Sequence, residues 1–289
     1  MGSRMTADDL QAQVVRAQSG DQVALEQVVR AIQDQIHHLA VRMLFHLEDA
    51  RDATQDILIL VVTKLSTFHG DAGFRTWVYR IAVNYLLDEK RRRGPQLTFA
   101  DFEADLNSGL AADPAPPADH VELLNELRVS CTMAMLLCLD VPHRVAYVLG
   151  DVLELDHTEA ATVLGISKAN YRKRVSRARA DVVAFTSRVC GLANEQAPCS
   201  CERRLPAADR LGRIRRDAYA PPGTPAYEEV RRQARALQGE LKVLSLQRAT
   251  PQYRSSTDFA AAVRRLVADA SSPAGPYLQS RDSEHGEQL

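Results

Sequence analysis

Three cysteines lie close together late in the chain, at Cys190, Cys199 and Cys201, in a C-x8-C-x-C pattern. Thiolates at such spacing can bind Zn or Cu, but a structural Zn site takes four ligands and no histidine is near in sequence. An ordinary cluster of reduced thiols explains the same residues. Metal binding and a plain thiol cluster both stay open. Cys131 and Cys138 lie in an apolar helical run and are expected to be core residues.

Three carboxylates could take part in acid-base chemistry. Asp49, Asp52 and Asp56 follow the spacing i, i+3, i+7, which places them on one face of a helix beside Gln55. No nucleophile, metal cluster or glycine-rich phosphate loop accompanies them, so catalysis is the weaker interpretation. A docking face for a basic protein partner explains the same residues without a pocket.

The segment 156–181 combines a short apolar helix, a turn and a basic helix. We expect Thr158 to cap the first helix, Gly165 to end it in a left-handed conformation, and Ser167 to cap the second. The inward positions of the second helix are Tyr171, Val175, Ala178 and Val182, and its remaining surface is rich in Lys and Arg. This pattern is typical of a helix-turn-helix that enters the DNA major groove.

A second candidate nucleic-acid surface is the helix that follows the 69–73 loop. Phe74, Trp77, Tyr79 and Tyr85 alternate there with arginines and precede a basic run at 90–93. Aromatics at helical spacing are usually core, and we expect Trp77 to pack inward. Aromatic rings beside arginines also suit unpaired bases, which stack on them at about 1 to 3 kcal/mol each.

The elements that position these residues are helical. The chain has 289 residues, 45% hydrophobic and 25% charged, with a net charge of −1, so any DNA affinity must come from segregated charge. We expect helices over 10–93, a semi-extended acidic, Pro-rich linker over 94–119, one amphipathic helix from Tyr227 to Leu244, another over 259–267, and disorder from 271. No signal peptide or membrane span is evident, which favours a cytoplasmic protein.

Three blocks, in order, resemble the extracytoplasmic-function (ECF) sigma factors, the promoter-recognition subunits of bacterial RNA polymerase. They are DARDATQD at 49–56, FRTWVYRIAVNYLLDEKRR at 74–92 and EAATVLGISKANYRKRVSRAR at 159–179. The resemblance implies an all-α protein with a region 2 domain at 5–93, a flexible linker at 94–119 and a region 4 helix-turn-helix domain at 120–188. A helical extension with the cysteines, 189–270, and a disordered tail, 271–289, would follow.

The resemblance also implies roles for individual residues. The residues expected to dock on the polymerase clamp helices are Asp49, Asp52, Gln55 and Asp56. Those expected at the melted −10 element, with the 69–73 loop holding a flipped base, are Phe74, Trp77, Asn84, Asp88 and Arg91. Those expected to read the −35 element are Lys168, Asn170, Arg172, Lys173, Arg174 and Arg177. Tyr171 departs from the family pattern, since it is bulky for an inward position.

The expected function is therefore promoter-specific initiation of transcription by a subunit that is not itself an enzyme. Its expected partners are core RNA polymerase and promoter DNA, double- and single-stranded, with an anti-sigma factor as a further candidate. No cofactor is required, apart from the open case of Zn or Cu at the cysteines. The alternative is a stand-alone helix-turn-helix regulator, which would explain the basic helix but not the carboxylates or the aromatic helix. The extension is expected to pack on the sigma domains or on polymerase and to tune promoter access.

Overall fold

The computed structural model describes residues 6–91, 96–112, 120–214, 224–250 and 257–270, with only the helical backbone for Lys90, Arg91 and 265–270. Within these ranges the regular elements are helices, and the one β-type pairing is a bridge between Cys190 and Cys199. The predicted all-α class is confirmed. Among the described helices, none is both long and apolar enough to cross a membrane.

In the described residues, the first domain has a short 3-10 helix (Leu65–Thr67) and four α-helices, α1 (Ala7–Gln18), α2 (Gln22–Leu44), α3 (Leu47–Thr63) and α4 (Phe74–Arg91). The long central helix α2 lies within the range predicted to be helical. It begins after Asp21, whose carboxylate accepts hydrogen bonds from the backbone N–H groups of Val23 and Ala24 at 2.9 and 3.0 Å. Its buried positions recur every three or four residues, so α1, α3 and α4 can all pack against it.

Part of the predicted linker is a folded element, which corrects the expectation of a semi-extended tether. Residues Phe99–Asn107 form α5, capped by Thr98 in a reciprocal capping box with Asp101. Phe102 and Leu106 are buried, and the Phe102 ring stacks on Phe185 with centroids 5.7 Å apart. The acidic composition of the segment concealed the short apolar row that Phe102 and Leu106 form. Residues 113–119 lie outside the described ranges.

The second domain consists of α6 (His120–Cys138), α7 (Val141–Tyr147), a π-helical turn (Val148–Val152), α8 (His157–Leu164) and α9 (Lys168–Val189). Helix α9 packs against α7 and α8. The π-helical turn inserts an extra residue into the helical ladder, and it lies directly beneath α9 at Gly150.

The extension contains α10 (Cys201–Arg210), α11 (Tyr227–Arg235), α12 (Gly239–Arg248) and α13 (Phe259–Ala270). The single helix predicted from Tyr227 to Leu244 is wrong, because α11 ends at Arg235 and α12 begins at Gly239. Gly239 has a φ of +52°, a conformation that glycine adopts without steric cost. Apolar residues at helical spacing conceal the break in the sequence, with Val230 and Ala234 before it and Leu241 and Leu244 after it. The helix predicted over 259–267 is present, and the tail from 271 lies outside the described ranges.

The two domains and the extension share one continuous apolar core. It includes Met43 from α2, Leu149 and Val175 from the second domain, and Val243 and Phe259 from the extension. A fully buried guanidinium crosses the domain boundary, since Arg144 of α7 donates to the Met43 carbonyl at 3.1 Å. Burial lowers the pKa of Arg144 to about 10, which leaves it charged at neutral pH. The described protein is therefore a closed arrangement of both domains.

Candidate nucleic-acid interface

The helix-turn-helix has three predicted cap positions, and two of them have the predicted geometry. Gly165 adopts the left-handed conformation, with φ +62°, and ends α8. Ser167 caps α9 by accepting the N–H of Asn170 at 3.2 Å. The first helix, however, is capped by Asp156 and not by Thr158, which corrects the prediction. The Asp156 carboxylate accepts the N–H groups of Thr158 and Glu159 at 2.7 and 3.1 Å.

Helix α9 has one packed face and one cationic face. The four predicted inward side chains are all buried: Tyr171, Val175, Ala178 and Val182. The basic and polar residues predicted to contact DNA are exposed, except for the partly buried Arg174: Lys168, Asn170, Arg172, Lys173 and Arg177. They cluster in the first three turns of α9, where a free helix start can approach base edges.

Arg179 does not belong to this cationic face, although it lies on the same helix. Its guanidinium makes two bonds to the Asp151 carboxylate, at 2.6 and 2.9 Å, and Asp151 is buried in the π-helical turn. From the extension, Arg248 donates to the backbone carbonyl of Asp151 at 2.7 Å. Arg179 therefore fixes α9 to its support and is held away from the groove-facing surface.

Tyr171 fits its inward position because the residue beneath it is a glycine. Its hydroxyl donates to the carbonyl of Ala146 at 3.1 Å, and a Cβ atom built on Gly150 would overlap that hydroxyl. The ring also contacts His157, with centroids 5.6 Å apart. Burial raises the pKa of the Tyr171 hydroxyl, which stays neutral. The bulky residue is thus an anchor for the start of α9.

The aromatic residues at the start of α4 form a cluster. Phe68, Phe74 and Trp77 have ring centroids 5.2 to 5.8 Å apart, and Phe74 is only 4% exposed. Trp77 is half-buried against the core. Further along the helix, Asn84 and Asp88 are exposed, while Arg91 is the last residue of α4 and its side chain is outside the description. Of the described side chains predicted to meet melted DNA, those of Asn84 and Asp88 are exposed.

Helix α4 also contacts the helix-turn-helix directly, a contact that the sequence did not predict. Arg80 donates to the carbonyl of Thr162 at 2.8 Å, and the Thr76 hydroxyl donates to Glu159 at 3.1 Å. These bonds join the helix predicted to handle melted DNA to α8. In the closed arrangement, α4 therefore contacts the helix-turn-helix domain through α8 and leaves the cationic face of α9 exposed.

The carboxylates of α3 face solvent. The Asp52 side chain is 76% exposed and lies 3.7 Å from the guanidinium of Arg51. Asp56 is exposed and accepts a hydrogen bond from the Tyr85 hydroxyl at 2.6 Å, while Asp49 and Gln55 are half-buried. The structure thus places the four predicted docking residues on one helix, with Asp52 and Asp56 exposed, which suits contact with another macromolecule.

Comparison with known proteins identifies the family. The Sigma-70 region 2 family model matches residues 28–96, and the Sigma-70, region 4 model matches residues 130–182. The chain is 31% identical over 173 residues to the ECF RNA polymerase sigma-E factor of Escherichia coli (strain K12), covering 58% of this chain and 90% of that protein. The chain belongs to the ECF family of RNA polymerase sigma factors.

A further relative and a solved structure also resemble this sigma factor. RNA polymerase sigma factor CnrH of Cupriavidus metallidurans is 32% identical over 175 residues, covering 59% of this chain and 90% of that protein. The structure of CnrH in complex with the cytosolic domain of CnrY covers 63% of this chain and 98% of that chain, with 27% identity and a TM-score of 0.47. The region 4 match ends at residue 182, so the helices α10 to α13 lie beyond both family matches.

Membership of this family sets the function. The protein is a sigma factor that binds core RNA polymerase and promoter DNA and directs promoter-specific initiation of transcription. The alternative of a stand-alone helix-turn-helix regulator is therefore wrong, because region 2 accompanies region 4 in the same chain.

The cysteines of the sigma factor form a cluster that includes one residue the sequence assigned to the core. Cys190 and Cys199 are bridge partners, and Cys131 of α6 lines one small cavity with Cys190 and Cys201. Sequence spacing could not reveal Cys131 as a neighbour, since α6 reaches the cluster only through tertiary packing. Burial, aided by Cys190, raises the pKa of the Cys199 thiol to about 11. The thiols are therefore held in the protonated form.

The open case of Zn or Cu at the cysteines gains no support from the described residues. Among the described residues, no group of three or more His, Cys, Asp or Glu side chains is placed to hold a metal ion. Buried thiols with raised pKa values are also weak nucleophiles and weak ligands until they lose their protons. Metal binding at Cys190, Cys199 and Cys201 stays a prediction to which the arrangement gives no support.

Proposed function

We propose that this sigma factor divides promoter recognition between two helices, with α9 reading the −35 element and α4 handling the melted −10 element. In this scheme α3 docks on the polymerase clamp. The chain itself catalyses no reaction and acts in the cytoplasm together with the polymerase, which carries out RNA synthesis. The observation that carries the proposal is the two-faced character of α9, which is apolar and buried on one side and cationic and exposed at its capped start.

The physical case for α9 rests on what its exposed side chains can bind. Arg and Lys donate to the guanine edge and to phosphates, and Asn pairs with the adenine edge, so Asn170, Arg172 and Lys173 can contribute both affinity and sequence selectivity. The ion pair of Arg179 with Asp151 supports this assignment, because it fixes the rotation of α9 about its own axis. A fixed rotation presents the same side chains to the groove each time.

The DNA-reading role is tested with the double substitution Arg172→Ala and Lys173→Ala. Binding of the holoenzyme to a duplex that carries its mapped −35 element should weaken about a hundredfold, because each lost base or phosphate contact costs about 1 to 3 kcal/mol. Fluorescence anisotropy against salt concentration measures both the affinity and its salt dependence. The matched control is Arg232→Ala, which removes an exposed arginine from α11. Retained promoter selectivity in the double variant contradicts the assignment.

The docking role of α3 is tested with the charge reversals Asp52→Lys and Asp56→Lys. Both side chains are exposed, so folding should be little affected, while affinity for core polymerase should fall about tenfold. A control with the same change in net charge, Asp8→Lys with Glu122→Lys, alters exposed carboxylates on α1 and α6. Equal polymerase affinity of both double variants, measured by biolayer interferometry, refutes docking through this face.

A further inference from the structure

The extension is attached to both sigma domains. Helices α10, α11 and α12 pack on the second domain, mainly against α6 and α9, whereas α13 packs on α2 and α3 of the first domain. The chain between them is short, since Thr250 at the end of the α12 segment and Thr257 before α13 are seven residues apart. The extension therefore crosses the boundary between the two domains.

The end of α12 is held by one arginine from each domain. Arg42 of α2 is 1% exposed and donates to the carbonyl of Gln247 at 3.4 Å and to the hydroxyl of Thr250. Arg128 of α6 is also buried and donates to the carbonyl of Ala249 at 2.8 Å. The last carbonyls of a helix have no partner within the helix and form the negative end of its dipole, so two cations are well placed there.

Helix α13 makes a smaller contact with the first domain. Phe259, Ala260 and Val263 are buried, and the Phe259 ring lies against His37 with centroids 6.2 Å apart. At the rim, Asp258 pairs with Arg30 at 3.0 Å and Arg264 pairs with Glu26 at 3.2 Å. These exposed ion pairs add little stability, so the small apolar face provides most of the attachment.

This short connection limits how far the domains can separate while both attachments hold. Seven extended residues span at most about 23 to 25 Å, whereas one turn of duplex DNA measures about 34 Å. Under the proposed function, on which this inference rests, the two domains bind promoter elements several turns apart. The extension cannot stay seated on both domains in that state.

We propose that the extension is an intramolecular brace, which holds the two DNA-binding domains together in the free sigma factor and releases the first domain when the two domains separate to bind polymerase and promoter. The release occurs at α13 and at Arg42, because α10 to α12 have the larger contact with the second domain. Bracing lowers the population of the open form, so it weakens binding to two-element DNA. It does not weaken binding to the −35 element alone, since the cationic start of α9 is already exposed in the closed form.

The test uses the full chain with the substitution Phe259→Asp, which places a charge in the apolar seat of α13. Leu241→Asp is the matched control, because Leu241 is an exposed leucine of α12. Holoenzymes are titrated with two probes, a mapped promoter fragment with a pre-melted −10 bubble and the same fragment shortened to its −35 element. Phe259→Asp should tighten binding of the two-element probe about tenfold. Binding of the shortened probe should be unchanged, and the control should match the wild type on both probes.

Hydrogen exchange of the segment 257–264 reports the release itself. In the free wild type these amides should be protected, and protection should fall when the holoenzyme binds the two-element probe. Arg264→Glu, which sets two carboxylates side by side at Glu26, provides a milder loosening that leaves the apolar face intact.

Faster exchange in Phe259→Asp or Arg264→Glu without tighter binding of the two-element probe overturns the brace. Full protection of the amides of 257–264 in the wild-type promoter complex also overturns the brace. This result does not depend on which helix binds the −35 element. Failure of the wild type to bind the −35 probe is a separate result, since it contradicts the role of α9, and the exchange measurement still decides the brace.

Discussion

Tyr171 shows how a side chain that departs from its family pattern is accommodated. Its position is inward, and its ring is large for that position. The structure provides space through Gly150, twenty-one residues earlier, in a π-helical turn that brings the backbone under the ring. The hydroxyl then gains a partner in the Ala146 carbonyl. The pair Gly150 and Tyr171 is therefore one feature, and neither residue can be interpreted alone.

A double-mutant cycle tests this coupling. Gly150→Ala should destabilise the protein by about 1 to 3 kcal/mol, because the added methyl group overlaps the Tyr171 hydroxyl. Tyr171→Phe should cost about 0.5 to 1.5 kcal/mol through the lost hydrogen bond. In the double variant the methyl group has room, so the combined loss should be smaller than the sum of the two. Urea unfolding of the four proteins measures it, and strictly additive losses would argue against the overlap.

Other residues of the site differ in how far the sequence could predict them. Gly165 and Ser167 were predicted correctly because a helix cap depends on neighbours within about four residues. Arg179 lies on the basic helix, but its pairing with Asp151 could not be predicted, because Asp151 is distant in sequence and is buried only by tertiary packing. Phe74 was expected beside melted DNA, yet it lies inside an aromatic cluster with Phe68 and Trp77. Side chains whose environment is set by distant elements need the structure.

At the scale of elements, α5 differs most from the sequence prediction. Acidic and Pro-rich composition across 94–119 indicated a tether, but Thr98 and Asp101 supply both halves of a capping box. Phe102 and Leu106 then give the short helix an apolar face, which packs against the end of α9 near Phe185. Composition averages over a segment, whereas a helix of nine residues depends on its cap and on two or three contacts.

The contribution of α5 to folding is tested with Phe102→Ala. Loss of the buried ring should reduce the free energy of unfolding by about 3 to 5 kcal/mol, since it leaves a cavity against Phe185. Asn107→Ala, an exposed position at the end of the same helix, serves as control and should change stability by less than about 0.5 kcal/mol. Chemical denaturation measures both. Identical denaturation midpoints for Phe102→Ala and the wild type would show that α5 does not stabilise the fold and that the segment acts as a tether.

For the whole molecule, sequence patterns predicted the parts better than their assembly. The helices of both domains and the helix-turn-helix follow from apolar spacing and turn residues. The contact between α4 and α8 does not, because Arg80 and Thr76 appear in sequence as ordinary surface residues of an amphipathic helix. Arg144 gives no signal either, although it is fully buried and bonded across the domain boundary. A closed arrangement depends on which helix surfaces contact each other, and the sequence pattern of one chain does not identify those pairs.

The ion pairs of α13 also bear on how the protein reaches its closed form. Arg30 and Asp258 are 228 residues apart in sequence, and Glu26 and Arg264 are 238 apart. Closing so long a loop costs more chain entropy than forming the neighbouring contacts among α1, α2 and α3. We therefore expect the first domain to fold early and α13 to pack on it late. On this expectation, the first domain is folded but uncovered before the extension reaches it.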